Sequence, residues 1–236
     1  MSEDWCRLES NPTVITDYIQ KLGFNTTKFS VQDIFSTEDW ALDMIKKPCL
    51  GITLVFPMSE AHDAFVKQEL ADLTQNPQIL PESYFYMKQY AMNACGSIAF
   101  FHIIGNIPAD QYTALIEKAS FLDNFFAESK GKTPEEVGKS FTSNEAIKNT
   151  HVAAVQDGDT EIEEDPCEDL HFISFVPKDG ALLEFDGLRK FVVNHGPTSE
   201  EGFMKDAIAV VQKYIERDPE NPSFSMLALA ALPEEE

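Results

Sequence analysis

One cysteine in the sequence stands where a thiol could act as a nucleophile. Cys95 lies just before the apolar run 98–104, which predicts a buried helix that begins near the cysteine. The positive end of such a helix stabilises a thiolate, and Gly96 lets a substrate approach the backbone closely. This help is needed because a free thiol, with a pKa of about 8.5, is mostly protonated at neutral pH. The alternative is a structural cysteine, since free cysteines are among the most buried residue types.

A histidine and an aspartate later in the chain are candidates for a base and the carboxylate that orients it. If Lys178 and Asp179 form a two-residue hairpin loop, His171 directly faces Asp186 on one face of the sheet. A loop of Asp179 and Gly180 would make the pair diagonal but keep it on the same face. A three-residue loop would break the alternation unless a bulge restored it. The alternative is a strand-edge histidine with no partner in catalysis.

Acyl transfer also needs a hydrogen-bond donor for the oxyanion. Gln89 lies six residues before Cys95, so its side-chain amide could act together with the backbone N–H of Cys95. The loss of one such donor typically costs about 100-fold or more in rate. The alternative for Gln89 is a side chain exposed to solvent.

Local patterns predict the elements that must position these residues. Helices are expected where apolar residues recur at helical spacing or caps are present, at 12–22 behind Asn11, 59–74, 95–104, 109–128, from 133 towards 155, and 199–217. Strands are expected over the β-branched and apolar runs 49–56, 170–176, 181–185 and 189–193, with a last apolar run over 224–232. The stretch 75–83 carries two prolines and is expected to be a loop.

Length and charge bound the class of protein. The chain has 236 residues, of which 43% are hydrophobic, and these include 18 Phe, so it can bury a sizeable core as one domain over 1–236. With 18 Lys and Arg against 40 Asp and Glu, the formal charge is −22. Such a charge repels nucleic-acid phosphates and anionic membrane surfaces, and it attracts a basic protein or a basic peptide tail.

Cysteine spacing and the apolar runs bear on compartment and cofactors. The four cysteines form no CxxC pair, so we expect neither a metal site, a cofactor nor a disulfide framework. The first residues lack the features of a signal peptide, and no apolar run is long enough to span a bilayer. We therefore expect a soluble, cytoplasmic protein with free thiols, and a monomer, because nothing in the sequence requires a dimer.

The composition changes sharply after residue 156. Eight of the thirteen residues 157–169 are Asp or Glu, and none is Lys or Arg. This pattern predicts a solvated, mobile loop.

The segment around the cysteine, YMKQYAMNACGS over 86–97, closely resembles the active-site motif of the ubiquitin carboxyl-terminal hydrolases, the UCH family of papain-like cysteine proteases. The family pattern of Gln, three residues, Asn, Ser or Ala, Cys, Gly and a later His is met by Gln89, Asn93, Ala94, Cys95, Gly96 and His102. Further agreement lies at 8–12, 169–173, 184–187, 193–196 and 216–219. The resemblance thus spans nearly the whole chain.

The resemblance implies a fold and a position for the acidic segment. The family fold is α/β (α+β) and papain-like, with a central antiparallel sheet flanked by helices, a knotted backbone and a crossover loop over the active-site cleft. Residues 150–169 occupy the place of that loop. In relatives this loop limits access to the active-site cleft, so that only small or flexible leaving groups can enter.

The resemblance also implies roles for individual residues. It makes Cys95 the nucleophile, His171 the general base and acid, Asp186 the orienting carboxylate and Gln89 a donor to the oxyanion, whereas His102 is expected to pack internally. Acidic residues at the positions of Glu9 and Asp33 contact ubiquitin in relatives. The alternative for both is a solvated surface carboxylate, which is the commoner case.

The function implied is a deubiquitinating thiol hydrolase that cleaves small or flexible adducts after the C-terminal glycine of ubiquitin. Two alternatives stay open. One is a ubiquitin-binding or ubiquitin-stabilising protein with weak activity, and the other is a hydrolase of the adducts of a ubiquitin-like protein. The first alternative differs from the hydrolase in whether Cys95→Ser abolishes turnover while leaving affinity for ubiquitin intact.

Overall fold

The computed structural model of the protein describes residues 5–158 and 170–232. Within them the strands are β1 (Phe29–Asp33), β2 (Lys46–Pro57), β3 (Leu170–Lys178), β4 (Ala181–Phe185), β5 (Val193–Pro197) and β6 (Ser225–Ala231). The helices are α1 (Pro12–Lys21), α2 (Asp39–Leu42), α3 (Glu60–Gln75), α4 (Cys95–Gly105), α5 (Ala109–Leu115), α6 (Phe121–Ser129), α7 (Pro134–Thr142), α8 (Glu145–Gln156) and α9 (Phe203–Arg217).

The strands form one antiparallel sheet in the order β1-β6-β2-β3-β4-β5. The late strand β6 therefore lies between the two earliest strands, while β3, β4 and β5 follow one another as a meander. The expected central antiparallel sheet flanked by helices is confirmed.

Apolar side chains cover both faces of the sheet. One core lies between the sheet and α1, α4, α6, α7 and α8, and a second core lies between the sheet and α9 with the short α2. Helix α4 is buried from Cys95 to Ile104, as its apolar sequence predicts. It approaches β2 closely at Gly51, where an added Cβ would lie 2.7 Å from a side-chain carbon of Ile103. The absence of a side chain at Gly51 makes room for this bulky neighbour.

Several sequence predictions of the elements are confirmed. Helix α1 begins behind Asn11, whose side chain accepts hydrogen bonds from the N–H groups of Thr13 and Val14. The strand over 49–56, the helix over 59–74 and the loop after it are also present, as are the hairpin strands β3 and β4.

Other predictions are wrong in their bounds. The stretch 109–128 forms two helices, because Ile116 pairs with Phe24 and Ser120 caps a new helix through its hydroxyl. The strand expected over 189–193 lies instead at Val193–Pro197, since the residues after β4 form a turn. The last helix begins at Phe203 rather than at residue 199. The strand β1 and the helix α2 have no counterpart among the sequence predictions.

The crossover segment expected over 150–169 is wrong in its first part. Residues 150–156 belong to α8, which Asn144 caps by accepting hydrogen bonds from the N–H groups of Ala146 and Ile147. Residues 159–169, with most of the predicted acidic loop, lie outside the described residues. None of the helices in 5–158 and 170–232 has the length and apolar character needed to cross a membrane.

Candidate active site

The thiol of Cys95 lies at the first residue of α4, where its backbone N–H has no acceptor within the helix. The residue is 8% exposed. Burial alone would raise the pKa of the thiol. A hydrogen bond with His171, the charge of that imidazole and backbone hydrogen bonds with Phe172 and Gly96 together hold the pKa below its ordinary value. The sulfur is therefore placed to exist as a thiolate.

The imidazole of His171 lies between the thiol and a carboxylate. His171 is in β3, opposite Phe56 of β2, and is 3% exposed. Its Nε2 lies 2.8 Å from Oδ1 of Asp186, which leaves Nδ1 as the ring nitrogen for Cys95. Burial would lower the pKa of His171, but the charge and hydrogen bond of Asp186, together with Cys95, raise it to about 10. The ring is therefore protonated at neutral pH.

The carboxylate of Asp186 directly follows β4 and is buried. Its Oδ1 also accepts a hydrogen bond of 2.8 Å from the N–H of Leu188. Burial would raise the pKa of this carboxyl, but His171, the Leu188 N–H and the Arg189 cation hold it below its ordinary value. The three side chains thus form a buried chain of hydrogen bonds from thiol to carboxylate.

The hairpin that brings His171 to Asp186 turns at Asp179 and Gly180. Lys178 pairs with Ala181, so the direct pairing based on a Lys178-Asp179 loop is wrong and the diagonal arrangement is the one observed. Both turn residues have positive φ, +49° and +80°, as a two-residue hairpin loop of the favoured twist requires. The alternation of the strands still places both functional side chains on one face.

Gln89 lies against the turn that carries the carboxylate. Its N–H donates a hydrogen bond of 2.9 Å to the carbonyl of Gly187, and the N–H of Lys88 donates one of 3.0 Å to the carbonyl of Pro134 in α7. A Cβ on Gly187 would lie 2.9 Å from Cβ of Gln89, so the close approach depends on glycine. The side-chain Oε1 of Gln89 is buried and has no hydrogen-bond partner among the described residues.

The residue two before the thiol fixes the loop that leads into α4. Asn93 has a φ of +62°, in the left-handed region that Asn tolerates better than most residues. Its side-chain amide donates a hydrogen bond of 2.9 Å to the carbonyl of Trp5, and the Trp5 N–H donates one of 3.2 Å to the carbonyl of Met92. The segment that begins at Trp5 thus holds the loop that leads to Cys95.

His102, seven residues after the thiol, packs inside the protein as expected. Its Nε2 lies 3.2 Å from both the N and the O of Met87. Burial lowers the pKa of His102 to about 3, so the ring is neutral.

A group of buried polar residues behind Asp186 was missed by sequence reasoning. Arg189 contacts Asp186, Glu69 and Glu184, and Glu184 contacts Tyr214 and His195. One signal was present in the sequence, because Glu184 and Asp186 are two residues apart in an otherwise apolar strand. Two carboxylates on one buried face require cationic partners.

Glu9 and Asp33 lie together, in a place separate from the thiol. Both line a surface cavity of about 650 Å³, and none of the residues around it belongs to the Cys95, His171 and Asp186 cluster. The exposed side chains of Phe35 and Met44 contribute to the same cavity. Partial burial raises the pKa of Asp33. The cavity therefore combines carboxylates with accessible apolar surface.

Comparison with known proteins shows the family to which the chain belongs. Residues 5–216 match the model of ubiquitin carboxyl-terminal hydrolase, family 1. A ubiquitin carboxyl-terminal hydrolase of Drosophila melanogaster is 36% identical over 230 residues, which cover 96% of this chain and 97% of the relative. The human ubiquitin carboxyl-terminal hydrolase isozyme L1 is 33% identical over 222 residues, which cover 94% and 96%.

A similar solved structure is the UCH37 catalytic domain of Trichinella spiralis bound to ubiquitin vinyl methyl ester. Its TM-score is 0.74 at 20% identity, and the match covers 97% of this chain and 96% of that one. At this identity the similarity shows a shared fold.

Proposed function

Since the chain belongs to family 1 of the ubiquitin carboxyl-terminal hydrolases and is a cysteine-type deubiquitinating hydrolase, we propose that it cleaves small or flexible adducts from the C-terminal glycine of ubiquitin. We assign the chemistry to Cys95, His171 and Asp186. The observation that carries this assignment is the buried chain of hydrogen bonds from thiol to imidazole to carboxylate. A lowered thiol pKa beside a raised histidine pKa is the electrostatic state that a cysteine nucleophile needs.

In the first step the Cys95 thiolate attacks the carbonyl carbon of the glycine. A C–S bond forms, and the carbonyl electrons move onto oxygen. His171 then gives its proton to the leaving amine or thiol as the tetrahedral intermediate collapses, which leaves ubiquitin joined to Cys95 as a thioester. The raised pKa of His171 means that the proton is already present before the attack.

The oxyanion of the intermediate would receive two donors. One is the backbone N–H of Cys95, which is unpaired within the helix because it opens α4. The other is the side-chain amide of Gln89, whose backbone is fixed against Gly187. Donors fixed before the reaction need no reorganisation when the charge develops.

In the second step water replaces the adduct. His171, now neutral, takes a proton from a water molecule, and the oxygen attacks the thioester carbon. The tetrahedral intermediate collapses, the C–S bond breaks, and Cys95 leaves as the thiolate beside the protonated His171. The new carboxylic acid of ubiquitin loses its proton to solvent as the product departs. Asp186 stabilises the imidazolium that forms and keeps the ring oriented through both steps.

We assign the binding of ubiquitin itself in part to the cavity that Glu9 and Asp33 line. Its carboxylates complement a basic partner, and the exposed Phe35 and Met44 offer apolar contact. The solved UCH37 domain, which shares this fold, is bound to a ubiquitin derivative.

We assign the restriction to small adducts to the segment after α8, residues 157–169, of which 159–169 lie outside the described residues. Lengthening this segment with Gly and Ser residues should admit larger adducts. Selectivity measured on small and folded leaving groups would be unchanged if the segment does not limit access.

The release of a fluorescent amine from the ubiquitin C-terminus tests the proposed chemistry. We expect Cys95→Ala and His171→Ala to abolish turnover and Asp186→Ala to reduce it by about 100-fold or more. The control is Cys6→Ser, which changes an exposed thiol outside the site and should leave turnover unchanged.

Two results would contradict the proposal. Turnover that survives Cys95→Ala would remove the cysteine from the mechanism. Binding of ubiquitin by the wild type without turnover would favour the ubiquitin-binding alternative, and faster turnover of a ubiquitin-like substrate in the same assay would change the substrate.

A further inference from the structure

Arg189 is a buried cation beside the candidate active site, and the proposed chemistry does not use it. The residue is 9% exposed. Its Nη1 contacts Glu69 of α3, and its Nη2 lies 3.3 Å from Oε1 of Glu184 in β4. Its Nε lies 3.7 Å from Oδ2 of Asp186. One guanidinium therefore contacts three carboxylates, one from α3 and two from the end of β4 and the turn after it, and it contributes a positive charge to this largely buried group.

The two oxygens of Asp186 have different partners. Oδ1 bonds His171 and the N–H of Leu188, so its position is determined by the hairpin. Oδ2 faces Nε of Arg189 at a distance slightly longer than a hydrogen bond. That Nε is buried and has no hydrogen-bond partner in the described part of the chain, where the carboxylate oxygen within 4 Å of it is Oδ2 of Asp186.

Arg189 is itself held from behind. Tyr214 of α9 accepts a hydrogen bond of 3.2 Å from Nη2 of Arg189 and donates one of 2.8 Å to Oε1 of Glu184. The other oxygen of Glu184 lies 2.8 Å from Nε2 of His195 in β5. Both oxygens of Glu184 thus have hydrogen-bond partners. These partners hold the carboxylate that in turn pairs with Arg189.

These contacts form a continuous row of side chains, from His171 through Asp186, Arg189 and Glu184 to His195. We propose that Arg189 is a positioning residue for the triad, which keeps the Asp186 carboxylate charged and turned toward His171, and that Glu184 keeps Arg189 in place. This inference rests on the proposed function of the site.

The proposal separates two kinetic quantities. Arg189 is buried and contacts Asp186 rather than the cavity around Glu9 and Asp33, so its removal should lower kcat and leave KM nearly unchanged. If Arg189 served only the fold, its substitution would lower the amount of active protein by the same factor with Asp or with Asn at position 186.

A double-mutant cycle tests this dependence. Arg189→Met and Asp186→Asn are made singly and together, and kcat and KM are measured with ubiquitin that carries a fluorescent amine. We expect Arg189→Met to lower kcat about tenfold with KM within about twofold, and to lower it less than about twofold when Asp186 is already Asn. Equal losses in both backgrounds would overturn the proposal.

Folding of the variants is checked by near-ultraviolet circular dichroism. Because Arg189→Met leaves Glu184 without its cation, the charge-balanced pair Arg189→Met/Glu184→Gln is measured as well, and it should show the same dependence on Asp186. Arg189→Lys keeps the charge and should recover part of the kcat. Loss of the folded state in all three variants would show that Arg189 serves the fold alone, and the proposal would be wrong.

Arg217→Met is the matched control. Arg217 stacks on Tyr214 and on Phe65 of α3, with its guanidinium carbon 4.1 Å and 3.4 Å from the ring centres. It thus shares the surroundings of Arg189 but has no contact with Asp186 in the described structure. We expect Arg217→Met to lower thermal stability and to leave kcat unchanged. A loss of kcat equal to that of Arg189→Met would contradict the specific role.

Failure of the inference and failure of the proposed function give different results. No turnover by the wild type contradicts the function, whereas turnover with an additive cycle contradicts only the role of Arg189. The rate at which iodoacetamide alkylates Cys95 can be measured without ubiquitin. It therefore gives the coupling between Arg189→Met and Asp186→Asn whether or not the wild type turns over ubiquitin.

Discussion

At the scale of single residues, two buried cysteines show that the partner decides the ionisation of the thiol. Burial raises the pKa of Cys49 to about 12, and a hydrogen bond with the backbone of Gly51 in its own strand offsets this only in part. Cys95 is buried to a similar extent, yet its pKa is lowered. The difference is the His171 imidazole, which offers both a hydrogen bond and a positive charge. Reactivity therefore follows from one neighbour rather than from exposure.

This contrast predicts how Cys95 responds to pH. The pKa of Cys95 is lowered in the wild type, so the rate of its alkylation by iodoacetamide should reach a plateau at a lower pH than in a variant without the His171 cation. In His171→Ala the burial remains but the cation is lost, so the pKa of Cys95 should move above the ordinary value of a thiol. We expect the rate at neutral pH to fall about tenfold or more.

Mass spectrometry of each labelled cysteine across a pH series from acid to alkaline measures both profiles. The exposed thiol of Cys6 is labelled in the same samples and should react equally in the two proteins. An unchanged Cys95 profile in His171→Ala would show that the histidine does not stabilise the thiolate.

At the scale of elements, helices and strands with local signals could be predicted from the sequence. The side chain of Asn11 caps α1, and the apolar residues of 98–104 require a buried helix wherever the sheet lies. The alternation of β3 and β4 allows His171 and Asp186 to share a face of the sheet, whereas their roles and that of Gln89 are implied by the family resemblance of the motif around Cys95.

Elements that depend on distant partners could not be predicted. Strand β1 is only five residues long, and its partner β6 lies nearly two hundred residues away in the chain. The break between α5 and α6 depends on the pairing of Ile116 with Phe24. The environment of Arg189 requires α3 and α9 to meet β4, and no spacing within the sequence encodes that meeting.

The packing of α7 on the segment before the nucleophile gives a prediction at this scale. A Cβ on Gly138 of α7 would lie 2.0 Å from the carbonyl oxygen of Lys88. Gly138→Ala must therefore displace the backbone next to Gln89, the proposed donor to the oxyanion, and we expect kcat for ubiquitin cleavage to fall about tenfold or more.

Gly202→Ala is the control for this substitution. Its new Cβ would meet only the ends of the Asp206 and Ser199 side chains, at 3.2 Å, and those can move. A Gly138→Ala enzyme with the kcat of the wild type would show that the position of Gln89 tolerates the shift.

At the scale of the whole molecule, the net charge and the cavity around Glu9 and Asp33 both favour association with a basic partner. The charge of −22 gives the protein a negative field in which a basic partner associates faster. The cavity around Glu9 and Asp33 is one place where that field meets accessible apolar surface. The knotted backbone implied by the family resemblance stays a prediction, because the connection through 159–169 lies outside the described residues.

The field predicts a dependence on salt. The association rate with ubiquitin should fall as ionic strength rises, because charges are screened over about 8–10 Å at physiological salt. Stopped-flow measurements with the Cys95→Ala protein give this rate without turnover. A flat response would contradict electrostatic steering.

Local charge is separated from net charge by a matched pair of variants. Glu9→Gln/Asp33→Asn should slow association more than Asp110→Asn/Glu145→Gln, which removes the same charge from helices outside the cavity. Equal effects of the two pairs would mean that only the total charge matters.

The position of β6 has a consequence for synthesis on the ribosome. The neighbour of β1 in the sheet is β6, and β6 also forms one side of β2, so both early strands keep open edges until residues 225–231 have been translated. The nascent chain must therefore hold these edges unpaired through most of its translation, which exposes it to chaperones. The sheet of the described residues is complete only after β6 has been translated.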